Sequence, residues 1–393
     1  MSLRSFAERY RANLFESVIP FWTRHSADRE HGGYFTCLDR EGRVYDPRKY
    51  VWLQGRQIWM YSRLYNEVER RQEWLDMATL GMDFLLAHAR DGEGRYYFRL
   101  ERDGRPSFFQ RKPYGAVFAV LALAEYAKTG AGRRYREEAE ALFWRIEEWI
   151  RDPGLLGRAP QAGGLAFRSL ADSIVLVNMA LELDEAGGDP RYREVLRGCL
   201  RAALEHEDAE RAILLEAAPL TAGADLRKYP DGRLFNPGHS VEACWMLWQA
   251  AERLGAREEQ ARVWRILEGS LELGWDREFG GLYYFMDVEG RPLLQLEASM
   301  KLWWPHAEAL YAVTLAYRRT GDRRWLDWLE RLDEYTFGHF VDDPRYGEWF
   351  GYCDRRGQVT HTLKGNHYKG CFHVPRALLL CIGEIEGAAG PGG

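Results

Sequence analysis

Four stretches of this chain gather side chains that can exchange a proton, meet an anion or stack on a flat apolar face. In KYVWLQGRQIWMYSRLY (49–65), Arg56 stands among Tyr50, Trp52 and Trp59 near the start of an otherwise apolar helix. A guanidinium is costly to bury there, so it either pairs with a buried carboxylate or faces an anionic ligand. In NPGHSVEACW (236–245), Asn236 is the expected helix cap and Pro237 fills the first turn. His239 then lies at the helix N-terminus, where the dipole keeps an imidazole neutral and ready to act as a base. Glu242 follows three residues on, on the same face, placed to orient that ring.

The third stretch, MKLWWPHAEALY (300–311), holds Lys301, Trp303, Trp304, His306 and Glu308, too polar and too aromatic together for a plain core helix. Glu308 is placed to hold a sugar hydroxyl or a histidine, while Lys301 and His306 suit a structural role as well as a functional one. In the fourth, KGNHYKGCFHVPRALLLC (364–381), His373 and Arg376 share a face as the last helix begins, with Lys364, His367 and Lys369 upstream. Such a cluster suits an anionic intermediate or a carbonyl oxygen. Other chemistries lack their signatures: no phosphate-cradling glycine loop, no HExxH or His-x-His metal spacing, no Gly-x-Ser-x-Gly elbow. Carboxylates abound, so a glycosidase pair stays open at this point.

An internal repeat says how the four stretches are brought together. GGYFTCLDREGR (32–43), GRYYFRLERDGR (94–105), GGLYYFMDVEGR (280–291) and GEWFGYCDRRGQ (347–358) share a Gly, an aromatic cluster, an acidic residue and a closing Gly. They read as short β-hairpins with tight turns. The closing glycines Gly42 and Gly104 are 62 residues apart, and Gly290 stands three times that distance beyond Gly104. Weaker members fall at GGLAFRSL (163–170) and YPDGRLF (229–235), giving six units. Between them run helix pairs such as 114–130 with 133–150 and 238–255 with 257–274, the first of each apolar nearly all round and the second carrying a charged face. Inner and outer helices of a closed ring have this pattern. Six pairs predict an all-α (α/α)6 barrel over residues 1–386, with the hairpins walling a cleft at one end. The tail GAAGPGG (387–393) is expected to be flexible.

Composition agrees and removes whole classes. The chain is 46% apolar and 14% aromatic, enough for a large core, and its net charge of −5 comes with both signs dispersed. No basic run tracks a phosphate backbone, so no nucleic-acid partner is expected. No apolar stretch approaches the roughly 18 residues of a membrane span. The N-terminus MSLRSFAERYRANLF has no signal-peptide core, and six scattered cysteines suit a reducing, cytoplasmic setting.

The motifs NPGHSVEACW, KLWWPHAEAL, YGEWFGY (346–352) and KGCFHVPRALLLC resemble the N-acylglucosamine 2-epimerase family, the renin-binding-protein group, along essentially the whole chain. That resemblance implies an (α/α)6 barrel, catalytic roles for His239 and His373, and support from Arg56, Glu308 and Arg376, with Glu242 behind them. Trp52, Asn178, Lys301, Trp303, Trp304 and His306 complete the expected substrate-binding set. The related cellobiose 2-epimerases carry a histidine near NMALEL, where this chain has Asn178, and N-acyl members often show Ser-Glu where it reads QRKPYG (110–115). The implied partner is a small sugar and a homodimer is possible by family analogy. No cofactor is required, and no glycine loop supports a nucleotide effector.

The chemistry these residues would perform is proton transfer at carbon 2 of a hexose. The neighbouring aldehyde acidifies that hydrogen only modestly, so an enzyme must open the ring, remove the proton, hold a planar enediolate and reprotonate its other face. Two neutral imidazoles on opposite sides of the plane suit the task, with Arg56 meeting charge on oxygen 1 and tryptophans stacking on the sugar. The alternatives are an aldose–ketose isomerase or a cellobiose or mannose 2-epimerase of the same family, then an (α/α)6 glycoside hydrolase or a non-catalytic sugar-binding barrel.

Overall fold

The computed structural model describes residues 2–157, 166–184, 189–221 and 223–387; the start of the GGLAFRSL repeat and residues 388–393 of the tail lie outside them. Helix α1 (Leu3–Ala12) runs through a π-helical turn (Asn13–Val18) into α2 (Ile19–His25). Five helix pairs follow: α3 (Val51–Glu67) with α4 (Gln72–His88), α5 (Tyr114–Tyr126) with α6 (Arg133–Arg151), α7 (Leu170–Asp184) with α8 (Arg191–Leu204), α9 (Pro237–Leu254) with α10 (Arg257–Gly274), and α11 (Trp303–Thr320) with α12 (Arg323–His339). The chain ends in α13 (His373–Glu386).

Helices α3, α5, α7, α9, α11 and α13 form the inner ring, each packed on the next, and α1 packs on α13 as its outer partner. The first helix of the chain therefore completes its last pair, giving the expected (α/α)6 barrel. At the seam, Phe372 at the head of α13 meets Trp59 of α3 with ring centroids 5.5 Å apart. The two helix types differ as their sequences require. Inner α5 is buried at every residue after Tyr114, whereas outer α6 buries one stripe, Tyr135, Ala139, Leu142, Phe143, Ile146 and Trp149.

The acidic-to-glycine turns form as read: the N–H groups of Gly42, Gly104, Gly290 and Gly357 donate to the carbonyls of Asp39, Glu101, Asp287 and Asp354. Three of the four segments also pair outside themselves, however. Arg99–Leu100 pairs with Lys49–Tyr50, Met286–Asp287 with Leu234–Phe235, and Tyr352–Cys353 with Lys301–Leu302, so the short strand leading into an inner helix is zipped to the following unit. Two-residue strands carry no period that could reveal such a partner. The closing glycine is needed for proximity as well as for its positive φ. A Cβ on Gly42, Gly104 or Gly357 would lie within 2.5 Å of the ring of His25, His88 or His339, each at the end of an outer helix.

One buried ion pair recurs around the barrel and corrects the reading of Lys301. Lys49 donates to Asp28 at 2.9 Å, Lys301 to Asp276 at 3.1 Å and Lys364 to Asp342 at 2.7 Å, all three lysines fully buried. Each aspartate also accepts from an arginine in a hairpin turn: Arg102, Arg355 and Arg40 respectively. Arg40 belongs to the first unit, so the third set bridges the end of the chain to its beginning. Lys301 thus locks neighbouring units together, and its ammonium is turned away from the cleft.

His306 is likewise structural. Its Nδ1 lies 2.6 Å from the Leu302 carbonyl, its Nε2 accepts the Leu282 N–H at 2.9 Å, and its ring stacks on Tyr335. Burial holds its pKa down at about 3, which keeps it neutral with both nitrogens committed. His306→Ala strands two backbone groups and opens a cavity, so it is expected to lower unfolding stability by about 3 kcal/mol. Urea titration checks this, with kcat of the folded variant expected within about threefold of the parent.

Candidate active site

The N-terminal ends of the inner helices open onto a cavity of 540 Å³ whose lining includes Trp52, Arg56, His239, Glu242, Trp304 and His373. Side chains from α3, α9, α11 and α13 thus converge although up to 321 residues separate them. No helix of the described residues is long and apolar enough to cross a membrane.

His239 is placed by the cap read from sequence: Asn236 Oδ1 accepts its backbone N–H at 3.1 Å, and Pro237 occupies the first turn. Its ring is not oriented by Glu242. Nδ1 lies 2.9 and 3.1 Å from the two carboxylate oxygens of Glu216, on the segment between the strands Ile213–Leu214 and Ala217–Pro219. Backbone bonds from Glu216 N–H to Leu234 and from Leu170 N–H to Glu216 anchor that segment. Burial pulls the His239 pKa down, but the charge and hydrogen bond of Glu216, with Glu242 adding, carry it above its ordinary value. The expected helix-end effect toward a neutral ring is therefore overridden.

His373 has the opposite balance. Its Nδ1 lies 2.7 Å from Glu308 Oε1, and the same oxygen accepts from Arg376 at 2.6 Å while Oε2 accepts the Trp245 indole at 2.9 Å. Arg376 also donates to Glu242 at 2.9 Å. Burial, and next the charge of Arg56, hold His373 well below the ordinary histidine value. In both histidines a carboxylate behind Nδ1 fixes the proton there and leaves Nε2 as the nitrogen available to a ligand.

Glu308 and Arg376 are almost fully buried behind these groups and are not among the residues lining the cavity, so they act through His373 and Glu242. Ligand atoms of Glu242, Glu308 and His373 lie within 4.8 Å of one another, but Arg376 already supplies positive charge to both carboxylates. The ion-pair reading of Arg56 does not hold: it makes no ion pair among the described residues and rests on aromatic rings. Burial lowers its pKa to about 9, opposed by Glu242, so it stays charged at neutral pH.

Trp304 lies against both histidines, with centroids 5.1 Å from His239 and 5.8 Å from His373. Trp303 forms a wall with Tyr352, and Trp52 donates its indole N–H to the His367 carbonyl at 3.1 Å. Asn178, on α7, is not among the lining residues. Glu216 was not foreseen. Its only signal was an isolated acid in the apolar run ILLEAAP, in the part of the chain where the repeat is faintest.

Six helix pairs around a cleft holding two carboxylate-backed imidazoles define an (α/α)6 barrel equipped for acid–base chemistry. Residues 33–375 match the model of the N-acylglucosamine 2-epimerase (GlcNAc 2-epimerase) family. The N-acylglucosamine 2-epimerase of Rattus norvegicus is 42% identical over 389 residues, covering 96% of this chain and 92% of the rat protein. The chain belongs to the N-acylglucosamine 2-epimerase family. Its fold is similar to the cellobiose 2-epimerase of Spirochaeta thermophila, with a TM-score of 0.83 at 22% identity over 98% of both chains. It is also similar to a D-mannose isomerase, with a TM-score of 0.82 at 18% identity over 95% of this chain and 97% of the other.

Proposed function

We propose that this chain is a cofactor-independent sugar 2-epimerase that interconverts N-acyl-D-glucosamine and N-acyl-D-mannosamine. The observation that carries this reading is the pair His239 and His373 on one cavity, each backed by a carboxylate and with opposed pKa shifts. The family and the relatives named above support the substrate class. Groups pushed apart in this way divide the work of acid and base. The opposed shifts favour a proton on His239 over one on His373, so His373 takes the carbon 2 proton and His239 delivers one to the opposite face. In the return direction the roles exchange. Arg56 donates to oxygen 1 of the enolate, and Trp304 stacks on the sugar. An acyl-amino group at carbon 2 prevents easy rearrangement to a ketose, which makes epimerisation the outcome.

A glycosidase reading would need free carboxylates at the cleft centre, whereas Glu242 and Glu308 are both held by Arg376. Incubation with N-acetylglucosamine, N-acetylmannosamine, mannose and cellobiose in heavy water tests the proposal. Deuterium at carbon 2 together with the N-acyl epimer is expected; ketose from mannose, or absence of exchange with every aldose, overturns it.

The pH profile follows from the two shifts. Activity falls on the acid side as His373 takes a proton below the ordinary histidine value, and on the alkaline side as His239 loses one above it. Glu216→Gln removes the charge that raises His239, so the alkaline limb of kcat/KM is expected to move to lower pH while the acid limb stays.

A further inference from the structure

Arg56 and Arg376 reach the same region of the barrel, but only one of them is paired. Arg376 holds two carboxylates through Nη2, whereas Arg56 has no ion pair among the described residues; the buried Nε of each arginine has no hydrogen-bond acceptor. The charge of Arg56 is met by rings instead. Its guanidinium carbon lies 4.1 Å from the centroid of Phe118, 4.5 Å from Trp52 and 5.1 Å from Phe372. The rings brace one another edge to face, Trp52 on Phe118 at 6.4 Å and Phe118 on Phe372 at 5.6 Å.

The sequence makes room for this arrangement at the residue before Arg56. A Cβ on Gly55 would lie 2.5 Å from the carbonyl oxygen of Phe118, so only glycine lets α3 and α5 approach closely enough for Phe118 to cover the guanidinium. The faces of aromatic rings favour a cation through their quadrupole but accept none of its in-plane N–H groups. A carboxylate partner would do the reverse: neutralise the charge and occupy the donors.

We infer that Phe118 is a positioning residue that, with Trp52 and Phe372, cages Arg56 so that its N–H donors stay free for an anionic oxygen in the cavity. The inference rests on the proposed role of Arg56 toward oxygen 1 of the intermediate. Without the Phe118 face the guanidinium can turn toward Glu242, and the donor is lost from the transition state while ground-state sugar binding persists.

The test compares Phe118→Leu, Phe118→Met, Phe118→Tyr, Arg56→Gln and the double variant Phe118→Leu/Arg56→Gln in the full-length enzyme with N-acetylglucosamine. Two non-aromatic replacements are used so that a fold defect in one, seen by circular dichroism, leaves the other to decide. Arg56→Gln is expected to lower kcat at least about 100-fold. Each non-aromatic Phe118 variant should lower kcat about tenfold with KM within about twofold, and the tyrosine should restore kcat to within about threefold of the parent. The double variant should be no slower than Arg56→Gln alone, because residues acting as one unit are not additive. Parent-like kcat in Phe118→Leu and Phe118→Met, or a Phe118 loss that multiplies onto Arg56→Gln, overturns the cage. Near-parent turnover by Arg56→Gln removes the role of Arg56 itself, and the cage with it.

Discussion

His239→Asn and His373→Asn should each lower the rate of epimerisation by about 10³-fold or more, since each imidazole is asked to supply one of two proton transfers. The sharper expectation concerns what remains. A single-histidine variant keeps one face of the carbon 2 plane served, so it should still exchange the carbon 2 hydrogen of one epimer with heavy water while converting almost none of it. The complementary variant should exchange only the other epimer. Nuclear magnetic resonance of N-acetylglucosamine and N-acetylmannosamine incubated separately reads both outcomes. Exchange of both epimers by one variant would mean that a single base serves both faces, and the two-histidine mechanism would fall.

The second large effect is expected at Glu308, which is not among the residues lining the cavity. One carboxylate there accepts from His373, Arg376 and Trp245 at once. Glu308→Ala leaves a buried guanidinium with only Glu242 and frees the His373 ring to rotate. Removing one partner from a buried ionic group typically lowers stability by about 3–5 kcal/mol, and the urea midpoint should show it. Activity should fall as well, because Nδ1 of His373 loses the acceptor that fixes its proton. Glu308→Asp should recover less stability than charge alone suggests, since the shorter side chain cannot span His373, Arg376 and Trp245 together. A Glu308→Ala enzyme with parent stability would show that this carboxylate is not the hub of the cluster.

The residues that carry the proposed chemistry were readable because they break a pattern. Arg56, His239 and His373 are polar intrusions at the starts of helices that are otherwise apolar, and a barrel presents those ends to its cleft. The same signature misled at Lys301 and His306. Both sit beside Trp303 and Trp304, but one is turned to Asp276 and the other to Leu282, and spacing does not say which side of a junction is wet. Helical spacing offered Glu242 as the partner of His239. The ring turns instead to Glu216, while Glu242 is held by Arg376 from a helix 134 residues away in sequence. Short irregular segments such as the one carrying Glu216 have no period to read, and contacts across the barrel depend on closure of the ring. Turn chemistry is local and was read correctly in four of the six units, whereas in the two weaker ones Asp231–Arg233 is a 3-10 turn and Phe167–Ser169 pairs with Ala217–Pro219; the count of six is carried by the helix pairs.

Closure by the first helix has a consequence for how the molecule is made. Phe6, Tyr10, Leu14 and Val18 form an apolar stripe whose principal cover, α13, begins at least 355 residues further along the chain. That stripe must wait, exposed or provisionally covered, until α13 has been made, and contacts of such long sequence separation form slowly. The helix that finally covers it also delivers His373 and Arg376. Sealing of the ring and assembly of the proton-transfer machinery are thus one late event, so a chain cut short before α13 would be left without a lid for its first helix and without chemistry.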